Sequence, residues 1–162
     1  MTLDPELLRE TRDLCAMGHW LVDKRQWTRA LEVYQQALAG LPEPKAALPL
    51  AYGILLAIGD LRFLSGDFAG ALRDLAAAQA HPRSEGDPFL LLRLGQCRYE
   101  LGDRGRAAAE LARALDLAGP SFFEEEDEKY LAFAKTRLPP PPGGWDDYQG
   151  KPDPTPAEPG QR

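Results

Sequence analysis

The chain has 162 residues, of which 44% are hydrophobic and 27% are charged, a balance typical of one folded domain with a real core. Its 19 basic and 25 acidic residues give a formal charge of -6, and no stretch combines Lys and Arg with aromatic residues, which argues against a nucleic-acid partner. The two cysteines lie far apart and lack metal-ligand spacing, which argues against a disulfide framework and a zinc site.

The amino-terminal sequence MTLDPELLRE is charged where a secretory signal needs an apolar stretch. Asp4 followed by Pro5 instead predicts the start of a long first helix. The longest apolar run, residues 46–58, contains Pro49 and is shorter than the roughly 20 residues that cross a bilayer. We therefore expect no membrane partner and a cytoplasmic location.

A repeated segment accounts for most of the chain. The stretches that begin at Leu56 and Leu92 align without gaps at a spacing of 36 residues. A more divergent copy lies 41 residues before the middle one, with the equivalent residues Gly18, Ala30, Tyr34 and Ala37. Three copies are the usual minimum for a stable stack of repeats.

Each copy predicts a helix, a turn and a second helix. Apolar residues follow helical spacing, and small residues on both helices allow them to pack closely as an antiparallel pair. Gly66-Asp67 and Gly102-Asp103 predict the turns, because Gly tolerates the left-handed backbone that ends a helix. The second helices are predicted to end at Pro42, Pro82 and Pro120.

These spacings resemble the tetratricopeptide repeat (TPR) pattern of Leu-Gly, an aromatic residue three positions later, Ala, a large residue four positions after it, and then Pro. The first copy carries it as Met17-Gly18, Leu21, Ala30, Tyr34 and Pro42. The resemblance implies an all-α fold, a right-handed superhelical stack of three helix pairs at about 11–44, 52–85 and 88–120. The Pro-rich connections LPEPKAALP and HPRSEGDP predict longer loops between the pairs than the family usually has.

One position departs from the TPR pattern. The large residue three positions after the repeat Gly is Leu21 in the first copy, but Arg in the other two. Twelve residues later, the first copy has Val33 and the others have an acidic residue. We therefore expect two ion pairs across helix pairs, Arg62 with Asp74 and Arg98 with Glu110. The alternative is that both Arg side chains reach solvent.

Ser121 and Glu124 form a capping-box signature, which predicts a seventh helix over about 121–138 that caps the stack, so the TPR domain is expected to span 1–138. The composition of residues 139–162 predicts an extended or disordered Pro/Gly-rich tail. Within it, Trp145 and Tyr148 resemble a short recognition peptide that docks on a groove of its own or a neighbouring chain. The alternative is a solubilising tail.

Two His, two Cys and few Ser form no recognisable catalytic constellation, so we expect neither an enzyme nor a cofactor nor a metal. The TPR resemblance implies instead that the first helices line a concave face that takes a ligand. Residues three before, one after and four after each repeat Gly share one stripe of the helix. With Phe89 in the third repeat, the candidate groove residues are Cys15, His19, Val22, Leu56, Asp60, Phe63, Leu92, Gln96 and Tyr99.

The Lys, Arg and Asn that hold a partner's terminal carboxylate in some TPR proteins are absent from this stripe. We therefore expect an apolar or aromatic segment of another protein as the ligand. The alternative interpretation is that neighbouring helices cover Phe63 and Tyr99.

The predicted function is a non-enzymatic interaction scaffold, adaptor or chaperone. In architecture the chain resembles the translocator chaperones of bacterial secretion systems. The alternative is an immunity-type protein that neutralises a toxin through its acidic convex face or the helix from Ser121.

Overall fold

The computed structural model describes residues 2–151, and the long elements in this part of the chain are all α-helices. In chain order they are α1 (Pro5–Asp23), α2 (Trp27–Gly40), α3 (Pro49–Leu64), α4 (Phe68–Ala78), α5 (Pro88–Glu100), α6 (Arg104–Ala118) and α7 (Glu128–Arg137). The pairs α1/α2, α3/α4 and α5/α6 pack internally, α2 contacts α3 and α4 contacts α5, and α7 packs on α6. The predicted all-α stack of three helix pairs and a seventh helix is confirmed.

The two helices of each pair meet where a glycine of the first faces a large side chain of the second. Tyr34, Leu75 and Leu111 are all buried at these contacts. A Cβ added to the glycine would lie within 3 Å of that side chain in every pair: 2.6 Å for Gly18 and Tyr34, 2.5 Å for Gly59 and Leu75, and 2.6 Å for Gly95 and Leu111. Any larger residue at these positions would therefore push the two helices apart.

The turn inside each pair requires one residue with a left-handed backbone. Gly66 has φ 84° and Gly102 has φ 88°. The following Asp67 and Asp103 cap α4 and α6 by accepting hydrogen bonds from backbone N–H groups. In the first pair the equivalent residue is Arg25, with φ 57°. A side chain carries a steric cost in this conformation that Gly avoids.

The connections between pairs contain short 3₁₀ turns, Lys45–Ala47 and Pro82–Ser84. These turns lie in the two Pro-rich segments that lengthen the repeat spacing to 41 and 36 residues. The connections bury Leu41, Leu48 and His81, and their remaining residues are exposed or partly exposed.

The structure brings the side chains of both predicted Arg–acid pairs into contact. Arg62 Nε lies 2.7 Å from Asp74 Oδ2, although the angle is not that of a hydrogen bond. Arg98 Nε donates hydrogen bonds to both carboxylate oxygens of Glu110, at 2.9 and 3.0 Å. Burial nevertheless raises the pKa of Glu110 above its usual value, because it outweighs the opposing effect of Arg98. This pair therefore carries a substantial desolvation cost.

The seventh helix begins at Glu128 rather than near Ser121. Residues Pro120–Phe123 form a 3₁₀ turn that buries Phe123, and the Asp127 side chain caps the helix by accepting a hydrogen bond from Lys129 N. The acidic residues before Asp127 lie outside the helix, and one of them, Glu126, is held by Arg93 of α5. That tertiary ion pair overrides the local capping-box signature.

The tail residues 139–151 lie against the end of α6, and residues 152–162 are outside the described part of the chain. The Tyr148 hydroxyl donates a hydrogen bond to the carbonyl of Asp116 at 2.6 Å, and Lys151 N donates to the carbonyl of Leu117 at 3.1 Å. These carbonyls belong to the last turn of α6, which has no helical donors for them. Trp145 packs on the neighbouring apolar cluster and on Tyr148, with ring centroids 5.5 Å apart. The tail thus caps α6, and these hydrogen bonds place it at the end of the stack rather than in the groove of its own chain. Docking on a neighbouring chain stays a prediction.

We expect Arg25→Gly to stabilise the chain by about 0.5–1 kcal/mol, because relief of the left-handed backbone outweighs the added flexibility of Gly. Equilibrium unfolding in urea measures the difference. The matched variant Gly66→Arg introduces the same strain in the second pair and should destabilise the chain by about 1 kcal/mol. A less stable Arg25→Gly protein would contradict this account of the turn.

Arg98→Leu should destabilise the chain by about 2 kcal/mol, because it leaves the carboxylate of Glu110 largely buried without its cation. The double variant Arg98→Leu/Glu110→Val installs the Leu21 and Val33 pair of the first repeat and should recover most of that loss. A double-mutant cycle of urea unfolding free energies checks this. Additive losses in the double variant would show that the two side chains act independently.

Candidate functional site

The first helices of the three pairs, α1, α3 and α5, provide the predicted groove. Its α1 and α3 residues remain at least partly accessible: Cys15, His19, Val22, Leu56, Asp60 and Phe63. Two cavities run between α1 and α3. One, of about 190 Å³, is lined by Cys15, His19, Tyr34, Leu50, Gly53, Ile54 and Ala57. The other, of about 440 Å³, is lined by Thr2, Leu3, Leu8, Arg12, Leu48, Pro49, Leu50 and Arg83.

Leu50 lines both cavities, and the two together are here called the N-terminal trough. Most of its lining side chains are apolar. Arg12 and Arg83, both exposed, supply positive charge at its amino-terminal end. Gly53 is exposed within it, and a Cβ added there would meet no atom within 4 Å. The trough therefore offers an apolar floor, open space in its middle and two cations at one end.

The polar groups in the trough are not arranged for nucleophilic catalysis. Burial raises the pKa of the Cys15 thiol, which keeps it protonated at neutral pH. His19 packs its ring edge-to-face on Tyr34, with ring centroids 5.9 Å apart. Burial also raises the pKa of Tyr34 to about 12. These groups offer contact surface and hydrogen bonding rather than an activated nucleophile.

The α5 part of the predicted groove is closed. Leu92 is 2% exposed and Gln96 is 0% exposed, so neither can meet a ligand, which corrects the expectation from the sequence. Phe89 is partly buried, with its ring 5.3 Å from the guanidinium of Arg93. Adjacent residues of the same chain occupy the space that the sequence pattern assigned to a partner.

Arg93 is the centre of this closure. Its Nε donates to Asp60 Oδ1 at 2.7 Å, and its Nη1 donates to Glu126 Oε1 and to Gln96 Oε1, both at 2.8 Å. Gln96 Nε2 donates to the second oxygen of Glu126 at 2.8 Å. The Arg93 guanidinium also lies 4.6 Å from the centre of the Phe63 ring. The Glu126 carboxylate of this chain therefore occupies a buried site that binds carboxylates.

Phe63 and Tyr99 pack against α7 and are only partly exposed, which favours the alternative interpretation of the sequence. The Tyr99 ring is 5.5 Å from Tyr130 and 5.0 Å from Phe133, both edge-to-face. The Phe63 ring is 6.5 Å from Tyr130. The Arg104 guanidinium lies 3.8 Å from the centre of the Tyr99 ring. The two aromatic residues contribute mainly to the attachment of the seventh helix.

Glu100 fixes α7 from the end of α5. The Tyr130 hydroxyl donates to Glu100 Oε1 at 2.7 Å, and Lys129 Nζ lies 2.6 Å from the same oxygen. Burial alone would raise the pKa of Glu100, but the hydrogen bonds from Lys129 and Tyr130 outweigh it and lower the pKa below its usual value. The carboxylate thus stays ionised where it anchors the helix.

Sequence reasoning missed Arg93 and Glu126. Arg93 lies two residues before the repeat Gly and so falls outside the stripe of candidate groove residues. A single charge within the apolar run PFLLLRLG was the available signal, because a buried charge requires a partner. Its partner Glu126 stands among five consecutive acidic residues, and nothing in that run distinguishes it.

Across residues 2–151, no group of three or more His, Cys, Asp or Glu side chains is arranged to hold a metal ion. None of the helices described above combines the length and apolar character needed to span a membrane.

The sequence matches no family model and no curated protein. Its fold is similar to that of several solved structures. The TPR domain of Arabidopsis OM64 is 18% identical, with a TM-score of 0.60, and the alignment covers 81% of this chain and 96% of that domain. PcrH from Pseudomonas aeruginosa is 20% identical, with a TM-score of 0.58, and 84% of this chain and 95% of PcrH are covered.

A third similar structure is the first TPR of Spaghetti (RPAP3) bound to the HSP90 peptide SRMEEVD. It is 16% identical, with a TM-score of 0.59, over 80% of this chain and 90% of that domain. This likeness, together with the repeat packing described above, shows that the chain has the tetratricopeptide repeat fold.

Arg93→Met should destabilise the chain by about 3 kcal/mol, because it leaves the carboxylates of Asp60 and Glu126 in a largely buried site without their cation. Urea unfolding followed by circular dichroism provides the measurement. Arg113→Met, the same change at an exposed position of α6, is the matched control and should cost little. Equal stability of the two variants would show that the Arg93 cluster does not hold the inner face closed.

Proposed function

We propose that this chain is a non-enzymatic interaction scaffold that holds an apolar segment of another protein in the N-terminal trough. The trough itself is the main support for this proposal, because it is an open apolar surface between α1 and α3. The groove residues Leu92 and Gln96 of α5, the first helix of the third pair, are buried. A similar fold binds a peptide of another protein in the RPAP3 structure. Burial of apolar side chains of the partner would provide most of the binding free energy.

The length of the trough limits the ligand. Along α1 the lining residues run from Leu8 to His19, a rise of roughly 16 Å, which corresponds to about five residues of extended chain. The α5 half of the groove is filled by Glu126 and α7, so the site is shorter than the one expected from the sequence. We infer a short segment with one or two apolar anchors over Leu50 and Ala57, which line the trough and are partly exposed.

Charge at one end of the trough gives the bound segment a direction. Arg12 and Arg83 are exposed and line the same cavity as Leu3 and Leu8. A carboxylate next to the apolar anchor would lie near these guanidinium groups, which form strong hydrogen bonds with carboxylates. The HSP90 peptide in the RPAP3 structure, SRMEEVD, combines apolar and acidic residues, and we propose a segment of similar character here.

Gly53→Gln should weaken this binding while leaving the fold intact. The new side chain projects into the trough from a helical position where a Cβ meets no atom, and replacing Gly within a helix should stabilise α3 by about 0.5 kcal/mol. The probes are peptides enriched on the wild-type protein from a random phage-displayed library, measured by fluorescence anisotropy. Affinity should fall about tenfold or more in Gly53→Gln.

Gly105→Gln is the matched control, because Gly105 is also exposed and open but lies at the start of α6, outside the trough. It should bind the enriched peptides as tightly as the wild type does. Undiminished binding by Gly53→Gln would move the site to another surface, as the immunity-type alternative requires.

A further inference from the structure

One face of α1 is exposed where the other repeats bury the same positions. The residues five before, one before and two after the repeat Gly are Ile54, Ile58 and Leu61 in the second repeat and Leu90, Leu94 and Cys97 in the third. All six are at most 3% exposed. In the first repeat they are Asp13, Met17 and Trp20. Met17 is 53% and Trp20 is 55% exposed.

The difference has a simple geometric cause. In the second and third repeats the second helix of the preceding pair covers this face, α2 over α3 and α4 over α5. No described segment of the chain covers the equivalent face of α1. Adjacent exposed Met and Trp side chains on one helix face are typical of a surface that another helix covers.

The charges beside Met17 and Trp20 indicate what covers them. Asp13, Met17, Trp20 and Lys24 follow each other at intervals of four, three and four residues, so they form one stripe along α1. All four are exposed. Lys24 Nζ lies 5.8 Å from the centre of the Trp20 ring, within the same patch. The stripe therefore has an acidic end, an apolar middle and a basic end.

Such a stripe is complementary to itself in the antiparallel direction. When two copies of α1 pack antiparallel about a twofold axis between Met17 and Trp20, each Met17 faces the Trp20 of the other copy. The same register places each Asp13 opposite the Lys24 of the other copy. One twofold contact thus buries four apolar side chains and forms two ion pairs.

We propose that this stripe is a homodimer interface and that its occupant is α1 of a second copy, packed antiparallel in this register. The stripe lies on the opposite side of α1 from Cys15, which lines the N-terminal trough. The dimer therefore leaves both troughs open, and its formation does not depend on the function proposed for them. From Asp13 to Lys24 the stripe is only roughly 17 Å long, so the dimer is a weak, reversible one.

Sedimentation velocity of the full chain tests the dimer over roughly 5 to 500 µM, the range in which an interface of this size associates. The wild type is expected to shift from monomer to dimer across this range. Asp13→Lys and Lys24→Asp each place like charges opposite one another twice, and each should raise the dissociation constant roughly tenfold or more. All of these positions are exposed, so circular dichroism should show unchanged helicity.

An equimolar mixture of Asp13→Lys and Lys24→Asp provides the decisive measurement. In the mixed dimer every Lys again faces an Asp, so association should return to the wild-type level. Two control variants, Glu32→Lys and Arg113→Asp, change the net charge by the same amounts at exposed positions of α2 and α6 and should associate like the wild type. A wild type that stays monomeric throughout the range would overturn the proposal, and a mixture that fails to associate would overturn the antiparallel register.

Discussion

The contact between a glycine and a large side chain sixteen positions later sets the geometry of every helix pair. With Gly59 against Leu75 and Gly95 against Leu111, no space remains for a Cβ, so both the separation and the rotation of the first helix are fixed. The rotation of the first helix determines which neighbouring helix each of its other positions faces. The residue three after the glycine meets the second helix, which is why Arg62 and Arg98 find acidic partners there. The residues that face the preceding pair are fixed in the same way.

The inner face is closed at one end by a buried charge. Arg93 is withdrawn from water, which is tolerable because Asp60, Gln96 and Glu126 satisfy its donors and the Phe63 ring lies beside it. Holding Glu126 also holds the segment before α7, so the seventh helix starts at the Asp127 cap and lies over the aromatic residues of α3 and α5. The stability of the carboxy-terminal half thus comes at the expense of ligand-binding surface.

The repeat architecture could be predicted because it depends on local residue spacings that recur in each copy of the repeat. Gly18, Gly59 and Gly95 recur with their partners, and Gly66 and Gly102 mark the turns by their backbone conformation. The same comparison between copies pointed to the pairing of Arg62 and Arg98 with their acids. These features depend on spacing within one repeat, which the sequence displays directly.

Features that depend on a single contact between segments far apart in the sequence could not be predicted. The closure of the groove depends on Glu126 reaching Arg93 across 33 residues, and no repeat copy carries a counterpart of Glu126 to reveal it. For the same reason, the sequence predicts that the seventh helix starts near Ser121 rather than at Glu128. The capping signature at Ser121 is local, whereas the ion pair that overrides it joins segments far apart in the sequence. Tyr148 and Lys151 likewise find their partners on α6 through tertiary contacts that composition does not encode.

The capping of α6 by the tail gives the stack a polarity. At the carboxy-terminal end, Tyr148 and Lys151 occupy the backbone carbonyls that a further helix pair would have to approach, and Trp145 lies over the adjoining apolar surface. At the other end, α1 still presents side chains of the kind that an added repeat would bury. Within residues 2–151, the face of α1 is therefore left open for association, whereas the end of α6 is capped by the tail. Pairing of two copies through α1, as proposed above, covers this face on both copies, so its product is a closed dimer rather than a fibre.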